Sequence, residues 1–107
     1  MSTPETPTRT IPHTTYQVVS DIELEKPYRV IIENDDVTPM DFVVMVLCQI
    51  FALDLDRAVN VMWQAHHEGH ALVATLPFQE AQERVYAAHT LAREAGYPLS
   101  FYLEPDD

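Results

Sequence analysis

Hydrophobic spacing divides the chain into an aperiodic start followed by segments whose period switches between two and about 3.6 residues. From Pro27 to Glu33, Tyr28, Val30 and Ile32 alternate with Arg29 and Ile31, and β-branched residues dominate, which predicts a strand. After a polar turn at 34–36, a helix is predicted from Pro39 to about Ala52. Its residues 42–48 are all apolar, so it is expected to be central. Thr38 is predicted to cap it, with Pro39 in the first helical position and Asp41 completing something close to a capping box. Asp54 opens a second helix to about Glu68, in which Leu55, Ala58, Val61, Met62 and Ala65 recur at spacings of three and four. Gly69 can take the left-handed conformation that ends it. His70 to Leu76 reads as a second strand, apolar on both faces over Ala71–Ala74. A third helix starts at Pro77, with Phe78, Ala81, Val85, Ala88, Leu91, Ala92 and Ala95 as its inward stripe. Gly96 and Pro98 stop it, and Leu99 to Glu104 forms a third strand. The order βααβαβ predicts an α+β fold: a small, largely antiparallel three-stranded sheet with three helices packed on one face.

Residues 1–26 are rich in Thr and Pro and carry too few apolar side chains to build a core. They are expected to form a flexible N-terminal arm before a single folded domain at 27–107. Net charge is −11, from 17 acidic against 6 basic side chains, and −9 of it lies beyond residue 26. An acidic folded part argues against nucleic acid and favours a basic protein surface or a cationic ligand. Cys48, the only cysteine, lies in the apolar run and is expected to be a small buried hydrophobe. No apolar run approaches a membrane span, and Met1 is not followed by a signal-peptide pattern, so a cytosolic protein is expected.

Two polar groups stand out: Asn34, Asp35 and Asp36 on the first turn, and His66, His67, Glu68 and His70 where the second helix ends. Turn chemistry alone could place Asn and Asp at 34–36. A zinc site at the histidines is disfavoured, because Gly69 breaks the helix between His66 and His70 and the zincin spacing is absent. The turn lacks the alternating ligands and distant glutamate of an EF-hand. No nucleophile stands in a recognisable frame with His and Asp, and with only Gly69 and Gly96 there is no phosphate loop, so no catalytic residue, metal or cofactor is expected. If the first two helices form a hairpin, His66 and the turn converge beside an apolar wall. Acceptors next to a hydrophobic pocket suit an ammonium attached to an apolar group, such as a peptide N-terminus beginning with a large residue.

The run Val30-Ile31-Ile32-Glu33-Asn34-Asp35-Asp36-Val37-Thr38-Pro39-Met40-Asp41-Phe42-Val43 resembles the strand-turn-helix signature of the ClpS family, the adaptors of the bacterial N-end rule. The resemblance continues through Arg57-Ala58, Met62, His66-His67-Glu68-Gly69, Ala71, Ala92-Arg93-Glu94 and Pro98-Leu99 without a gap. It implies that Asn34, Asp35, Asp36 and His66 clasp the free α-amino group of a substrate protein. Thr38, Met40, Val43, Met62, Ala65 and Leu99 would line the pocket for its first side chain, which in the family is Leu, Phe, Tyr or Trp. Met40 would gate against the β-branched Val and Ile. The family performs no chemistry: it delivers such N-degron proteins, as a monomeric cytoplasmic adaptor, to the N-terminal domain of a hexameric Clp AAA+ unfoldase of the ClpA or ClpC type. Docking would involve the neighbourhood of Gln79 and Arg84, with the arm engaging the unfoldase pore. A domain that docks on the unfoldase without using a tail pocket is the alternative. Three departures from the family pattern stand out, one of them Ala74 in place of a usual Gly. Ala65 replaces a commonly larger Val, which should widen the pocket, and Leu76-Pro77-Phe78-Gln79 replaces a Thr-led cap with an acidic residue at 79, which bears on docking.

Overall fold

The computed structural model describes residues 21–107, in the order α1 (Asp21–Glu25), β1 (Pro27–Glu33), α2 (Met40–Gln49), α3 (Leu55–Glu68), β2 (His70–Pro77), α4 (Phe78–Glu94) and β3 (Ser100–Pro105). Most of the expected arm, residues 1–20, lies outside the described residues. Its last part does not match the expectation, since Asp21–Glu25 forms a short helix that lies against α4.

The sheet is α+β in the expected sense. β1 is central, and β2 and β3 both pair with it antiparallel, giving the order β2-β1-β3. Alternation sends Val30 and Ile32 of β1 inward beside Ala71 and Val73 of β2 and Phe101 of β3, all nearly free of solvent contact. β2 is not apolar on both faces in the packed sense: Leu72 points outward and is exposed, because only one face carries helices. The register slips between Val30 and Ile31, so that Val73 is the extra, bulged residue of β2. On the outer face Arg29 holds Glu104 at 2.7 Å and Asp106 at 3.1 Å, pinning the start of β1 to the end of β3.

The core lies between this sheet and α2, α3 and α4. Val43, Val46 and Leu47 of α2 meet Ala58, Val61, Met62 and Ala65 of α3 and the small residues Ala81, Ala88 and Ala92 of α4. The alanines let α4 approach the sheet closely. Cys48 is half-buried at the edge of the core rather than enclosed by it, and Ala95, expected in the inward stripe, is exposed beyond the last turn of α4.

Helix ends follow local chemistry in most places. Asp54 accepts the Arg57 N–H at 2.8 Å and caps α3, while Gly69 (φ 93°) and Gly96 (φ 83°) take the left-handed conformation after α3 and α4. The start of α2 differs from expectation. Pro39 is the N-cap, with extended backbone (φ −63°, ψ 145°), and its carbonyl accepts the first helical hydrogen bond from Val43 N at 3.1 Å. Thr38 is one residue too early to cap the helix, so the expected capping box does not form. Asp41 instead accepts from the N–H of its neighbour Phe42 at 2.8 Å.

The other end of α2 also stops early, at Gln49, where the Leu53 N–H reaches back to the Leu47 carbonyl at 3.2 Å. That closure forces Ala52 to a positive φ of 60°, a conformation its Cβ opposes. Ala52→Gly is expected to stabilise the fold by about 0.5–1 kcal/mol, the Cβ penalty less the added flexibility of the unfolded chain. A rise in the urea midpoint at unchanged m-value checks it; a fall would mean that the Ala52 methyl packs usefully.

Candidate functional site

β1 ends at Glu33, and the next six residues turn the chain into α2. Asp35 builds that turn. One of its carboxylate oxygens accepts the Val37 N–H at 2.8 Å and the Thr38 N–H at 2.6 Å, and the other accepts the Thr38 hydroxyl at 2.8 Å. This is the local side-chain-to-backbone bonding that Asp offers in turns. It explains why Thr38, only 9% exposed, is a satisfied buried polar residue. Burial by itself pushes the Asp35 carboxyl up. The Thr38 N–H and hydroxyl, the Val37 N–H and the nearby Arg93 charge outweigh it and hold the group below the ordinary carboxylate range.

A long-range bond then sets where the turn sits. The Asn34 N–H donates to the carbonyl of Gly69 at 2.9 Å, fastening the turn to the end of α3 one turn beyond His66. Asn34, Asp35, Asp36 and His66 therefore meet at the mouth of one cavity of about 140 Å³. Its apolar wall comes from Val43 at the start of α2, Met62 and Ala65 on α3, and Leu99 before β3, with Thr38 at its side. Met40, the first residue of α2, stands at the rim and is 40% exposed. Every residue expected at the pocket or the clasp thus lines this one cavity. Two others, Ile32 and Glu33, line it as well and were not anticipated. The alternation of β1 already pointed Ile32 inward, and Glu33 directly precedes the turn.

The side chains at the mouth are free to act on a ligand. The Asn34 amide, the Asp36 carboxylate and the ring nitrogens of His66 have no hydrogen-bond partner among the described residues. Asp35 keeps one unused acceptor position on the oxygen that receives the Thr38 hydroxyl. Acceptors thus ring one end of an apolar cavity, an arrangement complementary to an ammonium on a hydrophobic group.

Leu99, 1% exposed, owes its place to α4. Arg93 donates to the carbonyls of Tyr97 (2.9 Å) and Leu99 (2.7 Å), drawing the loop after α4 against the pocket. Tyr97 in turn meets the ring of Phe42 edge-on at 4.9 Å. Just beyond, the Phe101 N–H donates to Nε2 of His89 at 2.9 Å. Burial, with Arg93 nearby, holds His89 below the ordinary histidine range and so preserves that acceptor.

Gln79 and Arg84 lie elsewhere, on α4. Arg84 pairs with Glu80 at 2.8 Å and donates to the carbonyl of Ile50, closing the end of α2 onto α4. Gln79 is exposed and bonded to Glu83 at 3.4 Å. Both border a broad open groove with Leu24, Gln49 and Ile50 that shares no lining residue with the cavity beside the turn. Among the described residues no cluster of three or more His, Cys, Asp or Glu could hold a metal ion, and no helix is long and apolar enough to cross a membrane.

Residues 23–102 match the model of the family described as ATP-dependent Clp protease adaptor protein ClpS. Among curated relatives, the ATP-dependent Clp protease adapter protein ClpS of Nautilia profundicola is 38% identical over 100 residues, covering 92% of this chain and 97% of that one. Its counterpart in Leptothrix cholodnii is 42% identical over 83 residues, covering 78% of this chain and 72% of that one. Among solved structures, Agrobacterium tumefaciens ClpS2 bound to L-phenylalaninamide superposes with a TM-score of 0.73 at 39% identity, covering 77% of this chain and 99% of that one. By sequence over most of its length and by fold, the chain belongs to the ClpS family of Clp protease adaptors.

Proposed function

We propose that this adaptor binds proteins through a free α-amino group and a bulky hydrophobic first residue, Leu, Phe, Tyr or Trp, and delivers them to a Clp AAA+ unfoldase of the ClpA or ClpC type. It makes and breaks no covalent bond itself. The observation that carries the reading is the convergence of unengaged acceptors, Asn34, Asp36 and His66, on the rim of one apolar cavity. An ammonium donates three hydrogen bonds and carries a charge, so it suits that rim. The adjoining side chain gains from entering the cavity. L-phenylalaninamide, the ligand of the similar ClpS2 structure, has both parts: a free α-amino group and an apolar ring. In this reading Met40, at the rim, crowds the Cβ of Val and Ile. The groove beside Gln79 and Arg84 serves docking, and its separation from the cavity leaves both sites open at once.

The test is a fluorescence-anisotropy titration with decapeptides that begin with Leu or Val, each free and acetylated. Free Leu is expected to bind, with at least about tenfold loss for free Val and about hundredfold loss for acetyl-Leu, which can neither carry the charge nor donate three bonds. Equal affinity for free and acetylated Leu would overturn the reading. Docking on the unfoldase with no binding of any peptide would favour a modulator that leaves the cavity unused.

A further inference from the structure

We infer that Trp63 forms a second subsite beside the cavity, which holds the residue following the bound N-terminal one and favours arginine there. This rests on the reading of the cavity as a site for a free N-terminus. On α3, Met62, Ala65 and His66 face the cavity, and Trp63 stands three residues before His66, next to it on the helix surface. Trp63, the only tryptophan, is 43% exposed and is not part of the core. Its orientation is set by two imidazoles. His67 stacks on it at 5.6 Å and 24°, and His67 Nδ1 lies 2.9 Å from the Trp63 carbonyl. His66 meets it edge-on at 5.7 Å and 82°. The indole is thus a fixed aromatic surface continuous, through His66, with the rim of the cavity.

Charge completes the subsite. The Asn34–Gly69 bond and the Glu33–His70 register place the acidic turn beside the end of α3. Glu33 and Asp36 line the rim, and the described ion pairs all belong to Arg29 or Arg84, which leaves both carboxylates without a cation. A tail whose ammonium sits at the turn and whose first side chain fills the cavity must leave across this rim. Its second Cα follows about 3.8 Å along the chain. A planar guanidinium there can lie on the indole while its charge faces the two carboxylates, a pairing Arg makes better than Lys. A second-position carboxylate meets repulsion instead.

Decapeptides beginning Leu-Arg, Leu-Leu, Leu-Gly and Leu-Glu, titrated against wild type, Trp63→Ala and Trp63→Phe, test this. Wild type is expected to bind Leu-Arg about fivefold more tightly than Leu-Gly. Trp63→Ala should weaken Leu-Arg about threefold, the size of an exposed cation–π contact, and leave Leu-Gly unchanged, with Trp63→Phe between them. Equal loss for all four peptides would overturn the subsite and make Trp63 a support for His66. No loss for any would show that the tail does not reach the indole. If wild type binds none of the four, the reading of the cavity fails, and the subsite with it.

Discussion

Asp35→Ala is expected to lower the affinity for a Leu-initiated peptide by at least about a hundredfold and to cost about 2–4 kcal/mol of folding stability. The two effects have one origin. Asp35 satisfies the N–H groups of Val37 and Thr38 and the Thr38 hydroxyl, and Thr38 is almost fully buried. Alanine leaves the two Thr38 donors without a partner, each such group costing about 1–3 kcal/mol when buried, while the exposed Val37 N–H can turn to water. The turn they shape also presents Asn34 and Asp36 to the cavity, so its loss disperses the acceptors together. Asp35→Asn keeps one acceptor oxygen and is expected to fall between wild type and alanine in both readouts. The carboxyl is held below its ordinary range, so its contribution is complete at neutral pH and disappears only as pH falls below about 4, through the lowered folded value. Urea unfolding of wild type and Asp35→Asn between neutral pH and pH 3 checks the sign: wild type should lose more stability on acidification. A variant that binds Leu tails at wild-type strength would show that the turn does not need Asp35.

How far such features can be read before folding depends on the distance over which they act. Gly69, Gly96 and the Asp54 cap are bonds within four residues, and spacing alone placed them. Alternation in β1 and the three-four spacing of α3 from Ala58 onward point to the core faces for the same reason, whereas Leu55, expected in that stripe, is 63% exposed in the first turn of α3 and Ile31, expected on the other face of β1, is buried as well. The start of α2 does not follow from spacing because Thr38 has two local options. Its hydroxyl can cap forward or bond back, and Asp35, three residues earlier, outcompetes the helix for it. The meeting of His66 with Asn34 belongs to a different class. It rests on the bond from Asn34 to Gly69, across 35 residues of chain, which no periodicity encodes. The polar residues of that meeting stand out in the sequence, and a hairpin of the first two helices would bring them together, but their roles as a clasp come only from resemblance to a family. Arg93 shows the remaining limit. As a charged residue near a helix end it reads as solvated, yet its bonds to the Tyr97 and Leu99 carbonyls hold one wall of the cavity.

Ala65→Leu is expected to cost about tenfold to hundredfold in affinity for Phe- and Trp-initiated peptides while leaving folding stability within about 1.5 kcal/mol of wild type. Ala65 is 3% exposed and lines the cavity from α3, so a larger side chain there has only the cavity to enter. Leucine is nearly as good a helix former as alanine, and the space it fills is otherwise empty. An aromatic tail excluded from the cavity forfeits the burial of its ring, about 1.5–3 kcal/mol, which is the stated range in affinity. Leu tails, being smaller, should lose less, so the variant changes the order of preference as well as the strength. The clasp at Asn34, Asp36 and His66 is left as it was. Residual binding that still requires a free α-amino group would therefore separate the polar contribution from the apolar one. Unchanged affinity for Trp tails would mean that the bound side chain does not lie against α3, and that the apolar subsite must be sought between Met40, Val43 and Leu99 instead.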